Sequence, residues 1–171
     1  MTSLAMPAST YDELLSHLGS SKVEQVAFLF TEPPVPGEGL RVSEMFRVPR
    51  EGFDFQSAYH VALTDEVRSR VIKRAHDLGG CLIEVHSHGA GPAVSFSPSD
   101  LGGFEEWVPH VRWRLPRRAY IALVFAGEAF DALVWDGQDD APTPLERLDV
   151  EGRTPVTPSG ITYERLLRYR T

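Results

Sequence analysis

The run Cys81-Leu82-Ile83-Glu84-Val85 ends in His86-Ser87-His88, and a Gly/Pro-rich loop then leads to Ser97-Pro98-Ser99-Asp100. A short apolar run broken only by Glu84 reads as a buried strand, and the segment after the loop reads as the start of a helix. Side chains at i and i+2 on a strand point the same way, so His86 and His88 can converge on one ion. Glu84 shares that parity and is expected beside the pair or facing solvent. Val85 and Ser87 face the other side, which makes Ser87 a poor nucleophile for its neighbours. Neutral imidazole suits zinc, and Asp100, carried back by the loop, can supply a third ligand. Three protein ligands leave a fourth position for water, whose pKa zinc lowers from about 15.7 toward about 7. The same Ser97-x-x-Asp100 spacing is also a capping box with Pro98 at the first helical position, and that reading needs no metal. Two histidines and a carboxylate can hold non-haem iron as well, although such sites usually draw the second histidine from far along the chain.

The rest of the chain supplies strands and helices around this segment. Ser9-Thr10-Tyr11-Asp12 predicts a capping box opening a helix with Leu14, Leu15 and Leu18 buried. Residues 22–30 predict an interior strand, the loop 32–39 breaks it, and residues 40–48 predict its paired strand. A third strand is expected at 59–63. Thr64 then caps a helix to about Leu78, with Val67, Val71, Ile72 and Ala75 on one face and Gly79-Gly80 as its stop. The helix from Ser97 or Pro98 is expected to end near Val108. Residues 120–125 and 130–135 predict a hairpin around Ala126-Gly127-Glu128. One further strand is expected at 145–150, followed by a short helix in the terminal ITYERLLRYRT. Helices interrupting runs of strands favour an α+β fold, a curved mixed β-sheet flanked by helices.

Composition narrows the function classes. The 171 residues predict one domain, with a core at about 9–150 and a tail at 151–171. A net charge of −7 argues against a protein that grips phosphate backbones. The stretch from Val111 to Arg118 interleaves basic and aromatic residues. It reads first as a solvated turn, with docking of an acidic partner or of nucleic acid as the rival readings. Arg165, Arg168 and Arg170 read as an exposed helix face, and Leu166 and Leu167 can pack on the domain or on a partner. The single cysteine, Cys81, reads as a packed, inert thiol and, with no signal-peptide pattern or membrane-length apolar run, points to the cytoplasm. His17, His60, His76 and His110 show no ligand spacing.

His86-Ser87-His88 followed by Ser97-x-x-Asp100 resembles the signature of the JAMM (JAB/MPN-type) zinc metallopeptidases. That family places a glutamate in an early strand, and Val23-Glu24-Gln25-Val26-Ala27-Phe28-Leu29-Phe30 matches in place and character. The resemblance spans roughly residues 22 to 136. Three departures stand out: the loop from His88 to Ser97 is one residue longer than usual, Gly89 replaces a proline, and Ala27 replaces a glycine. A one-residue insertion changes loop-closure entropy little.

The resemblance implies a single JAB/MPN-like (cytidine-deaminase-like) domain holding one catalytic Zn2+ through His86, His88 and Asp100. It implies Glu24 as the base that takes a proton from water and passes it to the leaving amine, and Ser97 as a donor to the oxyanion. On spacing alone Glu44 competes equally with Glu24. The implied reaction is hydrolysis of the amide after the C-terminus of a ubiquitin-like modifier, in deconjugation or precursor processing. The compact chain resembles the prokaryotic branch, so conjugation-pathway proteins are expected partners, and neither nucleic acid nor membrane is. An inert MPN scaffold and a peptidase for sulfur-carrier proteins are the alternatives.

Overall fold

The runs Val26–Phe30 and Tyr120–Phe125 are continuously apolar, and both of their faces are buried. The structure, a computed structural model, describes residues 1–137 and 140–169. In chain order its elements are β1 (Thr2–Met6), α1 (Ala8–Leu18), β2 (Val26–Thr31), β3 (Leu40–Arg47), β4 (Phe53–Gln56), β5 (Val61–Leu63), α2 (Asp65–Leu78), β6 (Leu82–Ser87), α3 (Pro98–Arg114), β7 (Tyr120–Ala126), β8 (Ala129–Trp135), β9 (Thr143–Val150) and α4 (Ile161–Arg168). Among the described residues no helix is long and apolar enough to cross a membrane.

Seven strands close into a barrel in the order β1-β3-β2-β6-β7-β8-β9, and β4 and β5 form a separate two-stranded ribbon. The expected JAB/MPN-like, cytidine-deaminase-like open sheet flanked by helices is therefore corrected to a closed mixed barrel that carries helices. Strand β1, which sequence reading left without structure, makes the closure. Its Leu4 lies in parallel register with Leu40 of β3 on one side and with Leu148 of β9 on the other. A strand in that gap pairs two edges that would otherwise be exposed, which is why closure is favoured.

One core fills the barrel. Leu4, Leu29, Val42, Ile83, Leu123, Ala132 and Leu148, one from each strand, are buried in it together with Leu14 and Leu18 of α1. The other core lies outside the wall, where Phe28, Leu82, Ala122 and Leu133 meet Val71 and Ile72 of α2 and Phe104 and Val108 of α3. The tail belongs to this outer layer, since Tyr163 and Leu166 of α4 pack against it. Arg170 lies outside the described residues.

Local chemistry sets the element ends. Thr64 caps α2 by accepting the Val67 N–H at 3.2 Å. At its far end Gly79 takes φ +71°. A Cβ on the next residue, Gly80, would fall 1.8 Å from the Thr31 carbonyl oxygen, so only glycine lets β6 start beside β2. Helix α1 starts earlier than expected, at Ala8 after Pro7, with no side-chain cap. Asp12 instead forms a bidentate pair with Arg153. Helix α3 runs through Pro109 to Arg114 because Val108, Val111 and Leu115 continue its buried stripe. The segment expected as a turn at 111–118 thus begins as the last turn of α3.

Candidate metal centre

Strand β6 runs antiparallel to β2 with His86 opposite Val26, and parallel to β7 with His86 opposite Val124. This central position fixes the backbone of His86, and its side chain, 3% exposed, shares the outer face with Val26 and Phe28. The Phe96 ring packs on the His86 imidazole at 5.7 Å between centroids. His88 follows the strand end, anchored by its N–H to the Phe125 carbonyl at 2.8 Å. Ser87 points the other way, as its parity requires, and its hydroxyl accepts the Gln25 N–H at 2.9 Å.

Asp100 arrives from the first turn of α3. The capping box is complete: Ser97 Oγ accepts the Asp100 N–H at 3.1 Å, and Asp100 Oδ2 accepts the Ser97 N–H at 2.7 Å. The cap and the cluster coexist, because that same oxygen faces both imidazoles. His86 Nε2 and His88 Nε2 are 3.3 Å apart, and Asp100 Oδ2 lies 3.4 Å from the first and 3.2 Å from the second. A tetrahedral ion with bonds of about 2.0–2.1 Å sets neighbouring ligand atoms about 3.3–3.4 Å apart. The edges of the triangle thus match the ligand spacing of a tetrahedral ion such as zinc. His86 is buried while His88 and Asp100 are partly open, so the cradle is closed on one side and accessible on the other.

Electrostatics agree with this placement. Burial opposes ionisation of Asp100, but hydrogen bonding to His86 and His88 outweighs it and holds the carboxyl far below the usual range. Burial would lower the His86 pKa, yet the hydrogen bond and charge of Asp100 more than reverse this and raise it.

Glu24 sits in the irregular segment just before β2, not inside a strand as expected. Its carboxylate Oε1 lies 3.6 Å from His88 Nε2 and is 5% exposed. The β4–β5 ribbon holds its backbone, since the Glu24 N–H donates to the Ser57 carbonyl at 2.8 Å and Gln56 Nε2 donates to the Glu24 carbonyl at 2.8 Å. Burial raises the Glu24 pKa against the lowering effect of the two imidazoles. Glu44, its rival, is on β3 and forms a two-pronged pair with Arg74 in a different groove.

Glu84 does not join the cluster. It lines a cavity of about 190 Å³ beside His86 and Asp100, where Tyr120 donates its hydroxyl proton to Glu84 Oε2 at 2.7 Å. Trp107 Nε1 in turn donates to the Tyr120 oxygen at 3.0 Å. His60, which shows no ligand spacing in the sequence, borders the same cavity and pairs through Nδ1 with the Ser99 hydroxyl at 3.2 Å. On the other flank an open groove of about 510 Å³ is bordered by Val23, Glu24, Ala58, His88 and Gly89. His17 bonds the Val26 carbonyl, His76 pairs with Asp77, and His110 lies tilted between Trp107 and Trp113. Cys81 is fully buried, and burial raises its thiol pKa.

No family model and no curated protein matches the chain. Among solved structures it is similar to a protein from Desulfitobacterium hafniense, with a TM-score of 0.54 and 14% identity over 88% of this chain and 94% of that one. A protein from Salinibacter ruber is similar with a TM-score of 0.46 and 18% identity, covering 92% of this chain and 96% of that one. The first likeness bears on the fold alone.

Proposed function

We propose that this chain is a zinc-dependent peptidase of JAMM-like chemistry carried on a closed barrel, and that it cleaves the amide after the C-terminus of a ubiquitin-like modifier. The observation that carries the reading is the triangle of His86 Nε2, His88 Nε2 and Asp100 Oδ2, with edges of 3.2–3.4 Å and the Glu24 carboxylate beside it. These three residues would hold one zinc, and the donor set of two imidazoles and a carboxylate is a catalytic one. When bound, zinc supplies Lewis acidity that polarises the scissile carbonyl and acidifies water.

The chain's own groups do the rest. Glu24, raised in pKa by burial, accepts the proton of the attacking water and returns it to the departing amine. The Ser97 hydroxyl, which accepts from Asp100 N–H, keeps its own proton to donate to a developing oxyanion. The groove along Val23, Glu24 and His88 is open enough for an extended peptide tail. Deconjugation and precursor processing both fit this chemistry, and a single buried thiol suits a cytoplasmic setting.

The test is metal analysis of purified protein together with cleavage of a modifier fusion, with and without chelator. Zinc content near one per chain and chelator-sensitive cleavage support the reading. Iron in place of zinc, or bound zinc without cleavage of any modifier fusion, contradicts it.

A further inference from the structure

We infer that Thr162 and Asp131 are positioning residues for the metal cradle, and that the C-terminal segment is part of the site's machinery. The inference rests on the metal reading above.

The loop from His88 to Ser97 forms no helix or strand and contains Gly89, Gly91 and Pro92, so its own backbone does little to fix it. It nevertheless delivers Ser97 and Asp100 to the histidines. Its order comes from a distant part of the chain. The Phe96 N–H donates to Thr162 Oγ1 at 2.9 Å, and the Ser159 hydroxyl donates to the Val94 carbonyl at 2.8 Å. Phe96 immediately precedes the capping serine, and its ring rests on His86 and on Phe104 of α3. A shift of Phe96 therefore moves both the histidine and the start of the helix that carries Asp100.

Thr162 is itself held. Asp131 on β8 is 0% exposed, an unusual place for a carboxylate, and it accepts three backbone N–H groups. Oδ1 takes Ala132 and Gly160, each at 3.0 Å, and Oδ2 takes Thr162 at 2.9 Å. The carboxylate thus ties the start of α4 to the barrel wall, where the Ser159 N–H also donates to the Phe130 carbonyl at 2.8 Å. The result is a continuous path of contacts from Asp131 on β8 through Thr162 to Phe96, the residue before the cap that carries Asp100. Groups hydrogen-bonded directly to ligands change metal affinity about 10- to 100-fold when removed, and Thr162 acts one step further out, through Phe96.

The experiment measures zinc affinity by competition with a chelating indicator, the cobalt-loaded absorption spectrum, and amide exchange at Ser97 and Asp100. Thr162→Val removes the acceptor while keeping the shape. It should weaken zinc by about three- to tenfold, below the range for direct partners of ligands, alter the cobalt spectrum and speed exchange at both amides. Thr162→Ser should restore all three. Leu167→Ala, on the exposed side of α4, should change none of them. Wild-type affinity and spectrum in Thr162→Val overturn the inference. If Thr162→Val does not fold, Ser159→Ala cuts only the Val94 tether and must still weaken zinc, and unchanged affinity there overturns the inference equally. If the wild-type protein takes up no zinc, the metal reading falls, and the positioning role is then judged on exchange alone: unchanged protection at Ser97 and Asp100 overturns it.

Discussion

Asp100 Oδ2 lies 3.2 Å from His88 Nε2 while the same oxygen accepts the N–H of its helix cap. One atom therefore serves both the start of α3 and the cluster on β6, so the two readings of Ser97-x-x-Asp100 do not compete. The double role also separates their consequences on mutation.

Asp100→Asn keeps a side-chain oxygen that can accept the Ser97 N–H but removes the charge that pairs with the imidazoles. The expected result is loss of zinc with little change in helix content. Circular dichroism and metal analysis on the same sample check it; loss of helix together with metal would point to a purely structural residue.

Glu24→Gln leaves the His86–His88–Asp100 triangle intact. Zinc should stay bound while turnover falls by about 10²- to 10⁴-fold, the usual contribution of a positioned base. Single-turnover cleavage of a modifier fusion by zinc-loaded protein measures this. Because Arg74 already engages both oxygens of Glu44, Glu44→Gln should leave the rate unchanged.

Zinc binding should be pH-dependent in a defined direction. Ligand imidazoles must be neutral, and Asp100 raises the pKa of His86 above its ordinary value of about 6.5. Protons therefore compete with zinc from above that pH, and affinity must fall as pH is lowered through it. Competition titrations across pH 5 to 8 check the sign; affinity that is flat or rises on acidification contradicts it.

The closed barrel makes its own prediction. Leu4 on β1 is fully buried between β3 and β9. Leu4→Ala should destabilise the protein by about 2–5 kcal/mol. Denaturant unfolding measures it, and a change below about 0.5 kcal/mol, typical of surface sites, would mean that β1 does not close the wall.

Parts of this structure were legible because their signals are local. Thr64 and Gly79 bracket α2 through cap chemistry that a few residues contain, and the β7–β8 hairpin pairs neighbours across Gly127. The parity of His86, Ser87 and His88 likewise follows from strand geometry alone. Other parts depend on distant partners. Strand β1 is short, and its partners are Leu40 and Leu148, so nothing near it announces a barrel. Glu24 and Glu44 look alike in spacing, and only tertiary contacts tell them apart: Glu24 ends 3.6 Å from His88 Nε2, whereas Glu44 pairs with Arg74. The sequence alone predicts an end to α3 near Val108, but the buried stripe through Val111 and Leu115 carries it past Pro109 to Arg114. Thr162 gave no local sign at all, since its role exists only once α4 meets the loop that carries Phe96.

Native mass spectrometry of the chain after zinc addition and buffer exchange tests the central claim most directly. One zinc per wild-type chain, and none retained by His86→Ala or His88→Ala, is the expected result. Wild-type protein that retains no zinc, or variants that retain it as well as wild type, would contradict the claim that these three side chains form a metal cradle.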